Sequence, residues 1–249
     1  MSTANPYGPP STAPGLSPAA RGPAPGPALD FGRALSFFFQ DPKWVSKIAI
    51  GSIFSVLSMF VVGGVFISGY AVRLLRRSAR GEPYPLPEWD DLGGMFVEGL
   101  QVMGVYLAHI LPAVVAMMVL MVPVAIAGES RGDSPPALLL VVIPMMLLAS
   151  LAFVAVLVYF PAALTRLAVE DRLGAAFEIG NNWAYLRRNF SNYLLAIVVF
   201  LVANFISQLG ILAFCIGIFP ATFWGLCAGA YALGEVAWRD PERNVPASA

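Results

Sequence analysis

Charge is missing from four long stretches of this chain, 48–72, 99–128, 134–165 and 189–234. All of its Lys, Arg, Asp and Glu side chains lie outside them. A charge at the centre of a bilayer costs about 2.5–3.5 kcal/mol on insertion scales. About 20 apolar residues cross the hydrocarbon core. Uncharged runs of 25, 30, 32 and 46 residues therefore predict membrane spans. The runs are continuous rather than alternating, which predicts helices and not a barrel. The longest would extend about 69 Å as one helix, so it is read as a hairpin of helices 193–209 and 211–235 turning near Gln208-Leu209-Gly210. The two middle runs predict one helix each, about 100–127 and 137–165, with Pro112 and Pro123 in the first and Pro144 and Pro161 in the second. Neighbouring helices can satisfy the carbonyls that such prolines free.

Composition agrees. Apolar residues make up 58 % and charged residues 12 %, against about 45–50 % and about 25 % in ordinary soluble domains. This excludes an ordinary soluble enzyme. The formal net charge is zero, which gives no general attraction to nucleic acid. Two cysteines, Cys215 and Cys227, are too few for a disulfide framework or a zinc ribbon. On one helix they would lie about 120° apart in azimuth, which excludes a shared metal or a mutual disulfide. No Gly-rich phosphate loop and no GxSxG elbow is present. The expectation is an all-α integral membrane bundle, not an enzyme, with no cofactor. It has four spans, a fifth broken or single span at 48–72, and interfacial amphipathic helices.

Residues 1–30 hold eight prolines, four glycines and six alanines. Such a segment cannot bury enough surface to offset its chain entropy, so a disordered tail is expected. Pro6 and Pro9 give it a PxxP spacing, a weak polyproline signal. No early basic-then-apolar pattern predicts a cleavable signal peptide. The membrane domain is read as 31–238 and a polar C-terminal tail as 239–249. Phe31 to Phe39 is short and aromatic, which predicts an interfacial helix in the membrane plane.

Orientation follows from the arginines. Segment 73–98 carries Arg73, Arg76, Arg77 and Arg80; segment 166–188 carries Arg166, Arg172, Arg187 and Arg188; the tail carries Arg239 and Arg243. These three are expected on the cytoplasmic side, and the 129–133 loop and the 208–212 turn outside. Arg131-Gly132-Asp133 resembles an integrin-binding triplet but reads better as a solvated turn. The run 48–72 has basic residues at both ends. A break at Gly63-Gly64 would keep both ends inside and is the preferred reading; a single span would place the N-terminal tail outside.

Several polar positions are candidate functional residues. His109 is the lone histidine and falls near mid-depth of its run, a candidate proton relay or ligand, or a hydrogen bond between helices. Asn204, Ser207 and Gln208 form a polar patch on one helix, either lining a solute path or joining helices. Ala221, Gly225 and Gly229 make a small-residue ridge, for packing within the fold or, alternatively, for a homo-oligomer. Arg73, Arg76, Arg77, Arg80, Arg187 and Arg188 are interfacial basic residues that could touch anionic headgroups of the lipid bilayer. Glu82, Glu88, Asp90, Asp91 and Glu98 are read as charge balance in a surface loop, and Glu235 as an i,i+4 partner of Arg239. A weak internal repeat would place Trp89 and Trp183 in equivalent segments.

An ordered set of landmarks resembles the domain-of-unknown-function family 4013, a group of prokaryotic multi-pass membrane proteins. They are Asp41-Pro42-Lys43-Trp44, Gly69-Tyr70 followed by Arg73, then Gly81-Glu82, Leu86-Pro87-Glu88-Trp89 and Gly99-Leu100. The resemblance covers roughly 30–238. The family often has a proline before the position of Gly69, where this chain has Gly63-Gly64. The resemblance implies the architecture and no activity. The expected function is a non-enzymatic structural or assembly component of the plasma membrane. The alternative is a small-solute or ion permease with a polar path near His109, Asn204 and Gln208.

Overall fold

Eight α-helices, and no strand, make up the described residues of the computed structural model, which are Gly26, 28–129, 136–212 and 216–244. They are α1 (Phe31–Ser36), α2 (Trp44–Leu57), α3 (Val62–Ala79), α4 (Leu92–Glu129), α5 (Pro136–Glu170), α6 (Ile179–Arg188), α7 (Phe190–Gln208) and α8 (Ile218–Trp238). Residues 1–25 and 27 of the N-terminal tail and the Arg-Gly-Asp triplet lie outside the described residues, as does Cys215.

Two helices outrun their charge-free cores because their ends are stabilised locally. α4 begins at Leu92, since the Asp91 side chain accepts the Gly94 N–H at 2.9 Å as an N-cap. α5 runs on to Glu170, where Arg166 and Glu170 form an i,i+4 pair. At about 1.5 Å per residue, α4 and α5 are about 57 and 52 Å long. Their outer halves expose Leu111, Met117, Met118, Met146, Leu147 and Leu151.

Among the described residues, three segments are long and apolar enough to cross a membrane: Leu92–Val119, Val142–Glu170 and Phe190–Leu212. A fourth arises only if the bent pair Phe31–Gln40 and Trp44–Phe60, 97° apart, is one span. The expectation of four spans including 211–235 is therefore not met in that form. α8, the helix in question, is an interior helix, packed between α3 and α7. Its buried face is largely Gly and Ala, with Glu235 near its end. A helix enclosed by other helices needs small residues for close approach more than it needs apolar bulk.

The first apolar run is broken, but at Val61 rather than at Gly63-Gly64. Val61 has φ +67°, an uncommon conformation for a β-branched residue. Gly63 serves the packing instead. A Cβ there would lie 2.1 Å from the Phe54 carbonyl oxygen, so α3 can fold back on α2 only without one. Phe54 and Phe66 then meet across the hairpin at 4.8 Å. α2, at about 21 Å, is shorter than a hydrocarbon core of about 30 Å.

α3 lies at the centre. A Cβ on Gly69 would fall 1.9 Å from the Met95 carbonyl oxygen of α4, and one on Gly99 of α4 would fall 1.8 Å from the Val65 carbonyl oxygen of α3. Gly234 of α8 approaches the Leu75 carbonyl oxygen of α3 in the same way, at 2.5 Å. The aromatic segment after α1 turns inward rather than lying flat. Phe37 stacks on Tyr231 at 4.0 Å and Phe38 meets Phe223 edge-on, and both phenylalanines are buried.

Replacing Gly69 or Gly99 with Leu is expected to cost about 3 kcal/mol or more through overpacking. Gly104→Ala, where nothing lies within 4 Å, is expected to gain up to ~1 kcal/mol of helix propensity. Thermal unfolding of the three purified variants checks this; similar losses at all three positions would contradict the α3–α4 crossing.

Candidate functional site

One end of the bundle gathers nearly all the described charges. Lys47, near the start of α2, is buried, and so is Asp41 just before that helix; their side chains are 4 % and 6 % exposed. An ammonium has three donors. Here it meets Asp41 Oδ2 at 2.8 Å, the Leu86 carbonyl at 2.9 Å and Glu88 Oε1 at 3.2 Å. Asp41 also accepts the Lys43 N–H at 2.8 Å. The Leu86 carbonyl takes a second donor, Arg77 Nη1, at 3.1 Å. The loop after α3 contains Pro83, Pro85 and Pro87, which accept but cannot donate. Cations of α2 and α3 fill that deficit, and Arg77 also reaches the Tyr84 carbonyl and Glu82. Burial would raise the Glu88 carboxyl, but Lys47 and then Lys43 outweigh it and hold it below the usual carboxylate range.

The arginines expected at the interface are mostly committed inside the protein. Arg73 pairs with Asp91 at 2.7 Å and Glu98 at 3.1 Å. Arg76 pairs with Asp171 at 2.8 Å and lies 3.6 Å from Glu98. Arg188 grips Asp240 with two bonds, at 2.8 and 2.9 Å, and Glu242 at 2.8 Å. Arg187 lies over the Trp183 ring at 5.2 Å. Arg80 is exposed and helps line a cavity of about 390 Å³ with Arg73, Arg76, Arg77, Glu88 and Glu98. These pairs bring segments 73–98 and 166–188 and the C-terminal end to one side of the bundle. The chain enters there too, since Leu29 N donates to Asn192 and Arg239 to the Gly26 carbonyl. Glu235 and Arg239 form their i,i+4 pair.

A second clamp holds the segment between α5 and α7. Arg166 reaches Glu178 at 2.7 Å, Glu170 at 2.5 Å and Asn182 Oδ1 at 3.1 Å. Asn182 is fully buried and donates to the Tyr159 hydroxyl and the Ala176 carbonyl. Glu178 accepts from Asn181, then Arg166 and Arg172, which lowers its pKa to about 2.

The polar residues inside the apolar helices are not brought together. The His109 ring lies beside Phe177 and Tyr159, each at 5.4 Å. Its Nδ1 is 2.7 Å from the Val105 carbonyl. A carbonyl only accepts, so Nδ1 is the donor in this contact. The cavity beside it, about 480 Å³, is lined by α4, α5 and the 177–183 segment, and includes none of Asn204, Ser207 or Gln208. Asn204 donates to the Phe200 carbonyl of its own helix. Ser207 is buried and bonds both the Ala203 carbonyl of α7 and the Ala221 carbonyl of α8, while Gln208 is exposed. The Ala221–Gly225–Gly229 ridge faces α7. A Cβ on Gly225 would lie 2.6 Å from Ser207 Oγ, and one on Gly229 would lie 2.5 Å from Phe200. Trp89, half-buried against Tyr70 at 4.4 Å, differs from the more exposed Trp183, so the two tryptophans do not play equivalent roles. Among the described residues, no cluster of three or more His, Cys, Asp or Glu is placed to hold a metal. Sequence reasoning counted Lys47 and Arg166 only as flanking charges and Asp41 only as a family landmark, and it missed Asn182. The one available signal was the pairing of lone charges at an apolar boundary with a loop short of donors.

Lys47→Met is expected to destabilise the protein by about 3–5 kcal/mol, since it leaves a buried carboxylate uncompensated. Adding Asp41→Asn should recover most of that loss, and equal melting temperatures for single and double variants would rule out a buried pair. Glu178 stabilises the fold through its lowered pKa, so its contribution is present above its ordinary value of 4.5 and is lost as pH falls toward about 2. Protection factors of the amides in 173–188, which remove the intrinsic pH dependence of exchange, should fall across that window in the wild type. In Glu178→Gln they should already be low above the window and should lose this acid step; a step of unchanged size in the variant would assign it elsewhere.

Comparison with curated proteins and with solved structures gave no match for this chain. A family model described as "Protein of unknown function (DUF4013)" matches residues 50–216. That stretch begins in α2, after Asp41 and Lys47, runs through the glycine crossings of α3 and α4 and the Arg166 clamp, and ends before α8. It covers well over half of the sequence, and the chain therefore belongs to the DUF4013 family.

Proposed function

We propose that this chain is a multi-pass protein of the plasma membrane, acting as a non-enzymatic structural or assembly component. The observation that carries the reading is how the polar groups of the apolar helices are used. Asn204, Ser207 and His109 each bond a helix carbonyl, and the cavity that His109 lines includes neither Asn204 nor Ser207. A solute path needs such groups to converge on a shared water-filled space, whereas bonds to helix carbonyls make them part of the packing.

The assembly role is supported by the α4–α5 arm. Its exposed Met117, Met118 and Met146 lie among leucines and valines, and methionine surfaces adapt to varied partners. In this reading the charged end faces the cytoplasm, by the positive-inside rule. The C-terminus then lies inside with the entering chain, and α2–α3 dips into the membrane and returns.

Thiol labelling in intact membranes tests the reading. In a chain with Cys215→Ala and Cys227→Ala, Asn204→Cys and His109→Cys are treated with an impermeant reagent, beside a Ser130→Cys control. The component reading expects the control to label and position 204 to stay protected. Labelling at both 204 and 109 would establish a continuous water path and replace this reading with the permease.

A further inference from the structure

An apolar cavity of about 230 Å³ opens between α5 and α7 over a floor of α3 and α8. Leu157 and Leu201 form its exposed rim, and Leu75, Ala196 and Ala230 its buried base. The Tyr193 hydroxyl ties the two walls by donating to the Val158 carbonyl at 2.5 Å. A second cavity, also about 230 Å³, is lined by the next turns of α5 and α8, together with α6 and the segment after α8. On α5, Pro161 of the apolar cavity is followed four residues later by Thr165 and eight later by Val169 of the second. On α8, Leu233 is followed four residues later by Ala237. Residues four apart share a helix face, so the two cavities are consecutive along one groove. The first has apolar walls. The second is lined by Arg166, Arg188, Glu170, Asp240 and Glu242.

We infer that this groove binds one zwitterionic aminophospholipid, with an acyl chain between α5 and α7 and its headgroup among these charges. The inference rests on the membrane-embedded reading above. Size favours a chain over a helix. One helical turn with side chains is about 10 Å across and about 5.4 Å tall, or about 400 Å³, which exceeds the apolar cavity. Charge selects the headgroup. Three carboxylates and two guanidiniums line the polar cavity, and Arg172 adds a third guanidinium 2.9 Å from Glu170, which leaves Glu242 as the carboxylate most open to a ligand. Glu242 and Glu170 present side chains 69 % and 31 % exposed, against 25 % for Arg188 and 13 % for Arg166. An ammonium therefore meets the accessible carboxylates, while the ester phosphate rests against the guanidinium edges. A purely anionic headgroup meets the same carboxylates without an ammonium to offset them.

The test is native mass spectrometry of the full chain released from nanodiscs of equal phosphatidylethanolamine and phosphatidylglycerol. Wild type should retain one phosphatidylethanolamine, favoured about fivefold, as ~1 kcal/mol for one charge implies. Glu242→Gln, at an exposed position, should reduce that preference without loss of the folded protein. Ile197→Trp, at the half-buried groove wall, should abolish retention; if that variant fails to fold, Leu201→Trp at the exposed rim replaces it. Equal retention of both lipids, or retention unchanged by filling the groove, would overturn the inference. So would a disulfide between two copies through Leu201→Cys, which would place a second chain in the groove. Failure of the chain to enter nanodiscs at all would overturn the membrane reading itself and is distinguishable from these.

Discussion

The arrangement depends on how closely α3 can approach its neighbours. Gly69 and Gly99 form a reciprocal pair in which each helix lays a glycine against the other's carbonyl, and Gly234 does the same from α8. Where lipid tails surround a bundle, apolar side chains gain little by leaving one apolar medium for another, and close packing carries the association. Three backbone contacts on one helix therefore fix where α4 and α8 stand. The Met95 and Val65 sites also set the height at which Arg73 meets Glu98, so the packing of the apolar part positions the charged end.

That end is built around carbonyls as much as carboxylates. A loop with three prolines has fewer N–H groups than C=O groups, and its surplus acceptors need donors from elsewhere. Leu86 shows the solution: its carbonyl accepts from both Lys47 and Arg77, and its side chain is buried beneath them. The arginine cluster is thus largely an internal fastening. Arg73, Arg76, Arg77 and Arg188 are committed to partners within the chain, which leaves Arg80 and the ring-stacked Arg187 more open to the surroundings.

Much of the architecture was legible because charge and helix length are one-dimensional signals. The two long helices, the α7–α8 hairpin and the Glu235–Arg239 pair all follow from spacing along the chain. What was not legible depends on contacts between distant segments. The glycine pair 63–64 looked like the break, yet Gly63 is small because Phe54 comes close, and Val61 takes the unusual φ. Phe37 and Phe38 looked like lipid-facing residues because nothing in their own segment announces Tyr231 and Phe223 as partners. His109, Asn204 and Gln208 looked like one path because depth can be counted from sequence while azimuth between helices cannot. The burial of Lys47 escaped notice because a lysine at an apolar boundary ordinarily reaches water, and only the folded loop supplies its three acceptors.

α8 shows why apolarity alone is an uncertain guide to burial in such a chain. The helices with the most exposed surface, α4 and α5, are also the most continuously apolar. α8, with thirteen of its residues buried, falls short of a span by composition. In a soluble protein the order is reversed, because water penalises exposed apolar groups. Lipid penalises exposed polar groups instead, and it leaves the interior free to hold glycine, alanine, a serine bridge and a paired glutamate. The sorting of α4, α5 and α8, with exposed large aliphatics on the first two and buried small or polar residues on the third, accords with helices long and apolar enough to cross a membrane.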